Sequence, residues 1–261
     1  MRSRFSRLAG VAVTALALLA AAVPSLAWAA GTSDRSSKPT IVLVHGAWAD
    51  SSSWMPVIDR LRRDGYPVRA IANPLQGLTS DTAYVTSYLS TIAGPKVLVG
   101  HSYGGAVITN AATAVPDVKS LVYIAGFIPA AGETVGELAA RSTPPLPLIS
   151  TQVPDGTEVS LDPAQFRSAF AADLDATVAA DLAVIQRPAN TKAVTDASVT
   201  EGFRTIPSWD LVTRQDHAIS PDLQRFMATR AHARVTEVDA SHAVMLSRPG
   251  DVTKIIEQAA R

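Results

Sequence analysis

Lys96 to Val107 reads KVLVGHSYGGAV, an apolar run, then a serine with glycines at 100, 104 and 105, then letters that continue as a helix. Lys96–Val99 is short and continuously apolar after its first residue, the pattern of a strand buried on both faces. A turn that leads from such a strand straight into a helix strains its central residue, and the residues two positions away must lack a Cβ. Gly100 and Gly104 meet that demand around Ser102, and Gly105 lets the helix pack close to the strand. The spacing G-x-S-x-G alone is a weak signal, because a glycine-rich turn around an ordinary serine carries the same letters. The surrounding sequence has to decide between them.

Outward from this stretch, strand-like and helix-like patterns alternate. Thr40–His45, Val68–Ala72, Lys96–Val99 and Val118–Ala125 read as strands. Between them, Ser53–Asp64 places Trp54, Val57, Ile58 and Leu61 on one helical face with Gly65 as its stop. A second helix carries Tyr84, Val85, Tyr88, Leu89 and Ile92, with Thr79-Ser80-Asp81 as the expected cap and Gly94-Pro95 as its end. The helix after Ser102 runs to Val115, where Pro116 closes it. Near the carboxyl end, Ser208–Thr213 and Arg234–Val238 are further strands. A helix capped by Ser220 points Leu223, Phe226 and Met227 inward, and a last helix opens at Pro249. Such alternation implies an α/β fold, a mostly parallel central sheet with helices on both faces. Residues 132–206 break the pattern. They are rich in Ala, Pro, Asp and Thr, contain helix-like pieces at Gln165–Leu174 and Asp175–Gln186, and read as a helical cap insertion without strands.

Composition narrows the chemistry. The 261 residues are 47% hydrophobic and carry a formal net charge of zero, so one large core is expected, with no nucleic-acid partner. With no cysteine, disulfides, thiolate nucleophiles and cysteine-bound metals are excluded, and the reading calls for no cofactor. Arg2, Arg4 and Arg7 precede an apolar run from Leu8 to about Val23, and Ala27-Trp28-Ala29 has the small residues of a cleavage site. Residues 1–29 are therefore expected to be a signal peptide cleaved near Ala29, residues 30–38 a polar leader, and residues 39–261 one secreted domain, extracellular or periplasmic, with no membrane attachment after cleavage.

A serine hydroxyl reacts only if a base takes its proton and a carboxylate orients the base. Of five histidines, His242 in VDASHAVML lies just past the last strand, at the sheet edge where Ser102 is expected. His217 is the rival base. His101 is expected in packing, His45 bracing its loop and His232 in solvent. For the acid, Asp216 directly follows a strand at the same edge; Asp239 and Asp210 are the alternatives. Developing negative charge also needs preorganised donors. The N–H of Tyr103 follows from the turn at Ser102, and HGAWADSSSW supplies a second at Ala47, since Gly46 permits a sharp turn. Trp48 is the candidate to line a substrate pocket, with packing as its equal alternative, and Leu146, Leu148, Ile149 and Phe166 are further candidates that serve equally as cap core.

TIVLVHGAW, VLVGHSYGGAVI, LVTRQDHAISPDLQ and VDASHAVMLSRP together resemble the α/β-hydrolase superfamily, most closely its branch of plant methyl esterases and hydroxynitrile lyases and similar bacterial hydrolases. The resemblance spans about residues 39–261 and is loose within the insertion. It implies Ser102 as nucleophile, Asp216 as acid and His242 as base, with Ala47 and Tyr103 as oxyanion donors. The implied activity is that of a serine hydrolase cleaving small to medium hydrophobic carboxylic esters through an acyl-enzyme. Ala243 stands where hydroxynitrile lyases of this kind carry a lysine, which argues against lyase chemistry. The alternatives are a cofactor-free haloperoxidase or perhydrolase, which shares the triad, and a non-catalytic binding protein on the same fold.

Overall fold

A computed structural model describes residues 38–261; the expected signal peptide and nearly all of the leader lie outside the described residues. From Thr40 the chain forms β1 (Thr40–Val44), α1 (Met55–Arg63), β2 (Val68–Ile71), α2 (Leu78–Ser90), β3 (Lys96–His101), α3 (Tyr103–Ala111) and β4 (Val118–Ile124). An insertion follows, with α4 (Val135–Ala139), β5 (Leu148–Val153), β6 (Gly156–Leu161), α5 (Phe166–Phe170), α6 (Ala176–Ile185), β7 (Ala189–Asn190) and α7 (Lys192–Thr195). The alternation resumes in β8 (Ser208–Thr213), α8 (Pro221–Arg230), β9 (Arg234–Val238), α9 (Val244–Ser247) and α10 (Pro249–Ala259).

Six strands make one parallel sheet in the order β2-β1-β3-β4-β8-β9. Alternate residues of its inner strands feed two separate cores. Val42, Val44 and Leu98 pack under α2, α3 and α8, whereas Ile41, Leu43, Val97 and Val99 pack under α1, α9 and α10. Burial on both faces is why these strands read as unbroken apolar runs, each enclosed aliphatic side chain contributing roughly 1.5–3 kcal/mol. β1 and β3 are neighbours, yet the chain leaves β1 toward one edge of the sheet and β3 toward the other. Their outgoing loops diverge and open a crevice at the carboxyl ends of the strands, where sheets of this kind hold their ligands. The loop after β1 opens with HGAW, and after β3 Ser102 alone separates strand from helix.

Three expectations are corrected. The insertion is not helical throughout: β5, β6 and β7 form an antiparallel sheet, with Leu148–Val153 paired to Gly156–Leu161. Helix α2 starts at Leu78 after Gly77, so Asp81 lies inside its first turn with a buried side chain instead of capping it. Phe226 is 40% exposed rather than inward, with the guanidinium groups of Arg141 and Arg230 over its ring.

Candidate active site

The turn at Ser102 has the strained geometry its glycines foretold, with φ 53° and ψ −125°. A non-glycine residue there costs of order 1–3 kcal/mol, so the surroundings must hold it. Ser102 N–H donates to Ile124 O (3.3 Å), and its carbonyl accepts from Gly105 N (2.9 Å) and Phe127 N (3.0 Å). The glycines are required by backbone, not by solvent-facing freedom. A Cβ at Gly100 would lie 2.5 Å from Gly104 O, and one at Gly104 would lie 2.4 Å from Val44 O.

The loop after β1 presses against this turn. A Cβ on Gly46 would meet the Ser102 Cβ at 2.6 Å and its Oγ at 3.1 Å, so only glycine lets the two loops touch. His45 braces the loop as expected: its Nδ1–H donates to Gly46 O (2.9 Å) and its Nε2 accepts from Asn73 N–H (3.0 Å). That pattern requires the neutral ring, because a protonated Nε2 would face another donor. Burial agrees, pushing the His45 pKa down to about 4. Next along, the N–H groups of Ala47 and Tyr103 donate to no protein acceptor among the described residues. Tyr103 is anchored from the other end, its phenol O–H donating to Asp81 Oδ2 at 2.8 Å.

At the neighbouring strand ends, His242 and Asp216 are joined. His242 Nδ1 donates to Asp216 Oδ2 at 2.8 Å, with both side chains fully buried. The carboxylate is held on every side. Oδ1 accepts from the N–H groups of Ala218 (2.8 Å) and Ile219 (2.9 Å), and Oδ2 also from Thr213 Oγ1 (2.7 Å) and Gln224 Nε2 (3.0 Å). With Nδ1–H fixed in this way, Nε2 of His242 is the acceptor, and it has no partner. Its bond to a serine hydroxyl is of the kind that often closes only around substrate. The His101 ring lies 4.6 Å from the His242 ring, its Nε2–H donating to His242 O (3.0 Å), and the Phe170 ring meets His242 edge-on at 4.8 Å.

The remaining candidates separate cleanly. His217 is exposed and bonded to Ser168 O (2.8 Å), His232 is exposed, and Asp239 is exposed and paired with Arg214. Asp210 is fully buried in β8, and neither carboxyl oxygen has a partner; burial drives its pKa well above the carboxylate range. Sequence reasoning missed Thr213, Gln224 and Asp81, which hold Asp216 and Tyr103. Gln224 had a signal, a polar residue beside Leu223 on the inward face of α8.

Ser102, Ala47, Trp48 and Tyr103 open onto a cavity of about 130 Å³ whose other walls are apolar. Phe127 and Ile219 come from the sheet side, and Val135, Leu146, Leu148 and Val194 from the insertion, which roofs the site. Among the described residues, no group of three or more His, Asp or Glu side chains is placed to hold a metal ion.

Comparison with known proteins agrees with this architecture. The profile described as "Alpha/beta hydrolase family" matches residues 41–255. Esterase PIR7B of Oryza sativa subsp. japonica is 25% identical over 255 residues, covering 85% of this chain and 95% of that protein. A carbendazim hydrolyzing esterase of Nocardioides sp. is 32% identical over 117 residues, a match spanning 40% of this chain and 48% of that one. Among solved structures, a pyrethroid hydrolase from Sphingobium faniae superposes with a TM-score of 0.72 at 23% identity, over 85% of this chain and 97% of that one. Polyneuridine aldehyde esterase gives 0.72 at 17% identity, covering 86% of this chain and 100% of that one.

Proposed function

This chain belongs to the alpha/beta hydrolase family, and on that premise we propose that it cleaves carboxylic esters through an acyl-enzyme formed on Ser102. Ser102 Oγ attacks the ester carbonyl carbon while His242 Nε2 takes its proton. Asp216 keeps the imidazole in the tautomer with Nδ1 protonated and stabilises the imidazolium that forms. The carbonyl oxygen, now an oxyanion, accepts from the N–H groups of Ala47 and Tyr103, each donor worth roughly a hundredfold or more in rate. When the intermediate collapses, His242 returns the proton to the departing alkoxide and the alcohol leaves. Water then attacks the acyl-enzyme, giving its proton to His242, and Ser102 is regenerated as the acid departs. The observation that carries this reading is the His242 Nδ1 to Asp216 Oδ2 bond, which leaves Nε2 without a partner in a ring 4.6 Å from that of His101, the residue before Ser102. The apolar walls of the cavity support a hydrophobic acyl group.

The test is hydrolysis of p-nitrophenyl butyrate. Ser102→Ala is expected to lower kcat by about 10⁴-fold or more while thermal stability moves by no more than about 1 kcal/mol. A variant that keeps a tenth of the wild-type rate would refute the assignment. Export is part of the same proposal and is supported by the arginines at 2, 4 and 7, the apolar run after them and Ala27-Trp28-Ala29. Amino-terminal sequencing of protein from the culture medium should begin at or near Ala30; full-length, cell-bound protein would contradict it.

A further inference from the structure

Besides the cavity that Ser102 opens onto, Trp48 lines a second one, of about 30 Å³ and mostly apolar apart from Asp50, Ser52 and Ser53. Its walls include Ala49, Phe170, Leu182, Ile185 and Leu246. Trp48 lines both spaces, and it bridges the core cluster beneath α2 and α3 to the cluster inside the insertion. Its backbone sits at φ 59°, a conformation that is an outlier for so large a residue and points to a constraint on where the side chain aims. The constraint is visible in its bonds. The indole Nε1–H donates to Val159 O of β6 (3.0 Å), and the backbone N–H donates to Arg187 O (3.1 Å), both in the insertion. An edge-on contact with Phe170, centroids 6.3 Å apart, fixes the plane of the ring. A flat, apolar side chain so held between two apolar spaces divides them.

We infer that Trp48 is the specificity-determining wall of this site: it ends the acyl cavity and excludes long-chain esters from the space behind it. The inference rests on the proposed ester hydrolysis at Ser102. A cavity near 130 Å³ is comparable with engineered apolar cavities of about 150 Å³ that take up one benzene, so the acyl group it admits has about six carbons. Removing the indole joins the two cavities and leaves a channel walled by Leu182 and Ile185 of α6.

The test is a series of p-nitrophenyl esters from acetate to laurate, read as the ratio of kcat/KM for laurate to that for butyrate. Trp48→Ala should raise the ratio by at least tenfold, and Trp48→Leu, which retains more of the packing, should raise it less. Trp48→Phe keeps a ring and loses the bond to Val159, so its ratio should stay within about threefold of wild type. Leu182→Trp fills the space behind the wall; alone it should leave the ratio unchanged, and combined with Trp48→Ala it should restore the wild-type value. An unchanged ratio in Trp48→Ala or Trp48→Leu, in protein whose circular dichroism matches wild type, would overturn the inference. Wild-type protein that cleaves no ester of the series would instead sink the proposed reaction, which keeps the two failures apart.

Discussion

The floor of the cavity comes from segments at the carboxyl ends of β1, β3, β4 and β8, and its roof comes from the insertion between β4 and β8. On the floor, positions are set by backbone meeting backbone. A single added Cβ at Gly46, Gly100 or Gly104 would fall within 2.6 Å of a neighbouring atom. Every oxygen of Asp216 is bonded there. The roof is made of Val, Leu and Ala side chains on a short sheet and small helices, and much of it remains open to solvent, with Leu148 47% and Val184 84% exposed. Floors of the first kind tolerate little change and carry chemistry. Roofs of the second kind accept substitution and select what fits, so perturbing the two should produce effects of different kind as well as size.

The largest expected effect tests the floor. Asp216→Asn should lower kcat by about 10⁴-fold, because an amide cannot hold His242 in the required tautomer. Asp239→Asn, which only unpairs an exposed Arg214, should stay within about twofold of wild type. Equal effects from the two would erase the distinction between a bonded and a solvated carboxylate.

Acid should weaken the floor selectively, since all five histidines lie outside residues 132–206. His45 has its pKa lowered to about 4 in the folded protein against 6.5 in the unfolded chain. The unfolded chain therefore takes up the proton first. The stability that His45 contributes is complete above pH 6.5 and declines as pH falls, with about 3 kcal/mol lost by pH 4. His101, also lowered by burial, acts in the same direction. Urea unfolding at pH 7 and pH 4 should show a drop smaller by about that amount in His45→Gln than in wild type.

Asp210 has the opposite sign. Its raised pKa means that burial of the carboxyl is tolerated at low pH and becomes a penalty as pH climbs above the ordinary carboxylate range. Asp210→Leu should add about 1–3 kcal/mol at pH 8 and less at pH 4, measured by the same unfolding experiment. A loss of stability at pH 8 would show that the carboxylate serves the core. The smallest effect belongs to the roof: Leu146→Ala should raise KM for a hydrophobic ester by about tenfold with kcat within threefold.

The same contrast explains what the sequence revealed. The placement of Ser102, Ala47, Tyr103, Asp216 and His242 at one edge of the sheet was legible because each is tied to a strand end by a short motif, and the alternation of strands and helices ordered those ends. The β5–β6–β7 sheet was not. Leu148–Val153 is exposed along nearly its whole length and has no burial pattern to betray a strand; it exists because Gly156–Leu161 pairs with it. Asp81 escaped notice because it acts on Tyr103, far along the chain, and looks locally like a helix start; Thr213 is close to Asp216 in sequence but looks locally like the end of a strand. The mispointed Phe226 shows the limit of periodicity on α8, where two arginines cover an aromatic ring that the stripe alone assigned to the core.

The central claim is that Ser102 is a nucleophile activated by His242, and a fluorophosphonate reports on that directly. Mass spectrometry of the folded protein after labelling should find one adduct, on the peptide containing Ser102. The adduct should be absent from Ser102→Ala and formed at least about a hundredfold more slowly in His242→Ala. Labelling of Ser102→Ala at the wild-type rate, or folded wild-type protein that takes up no label, would contradict the account.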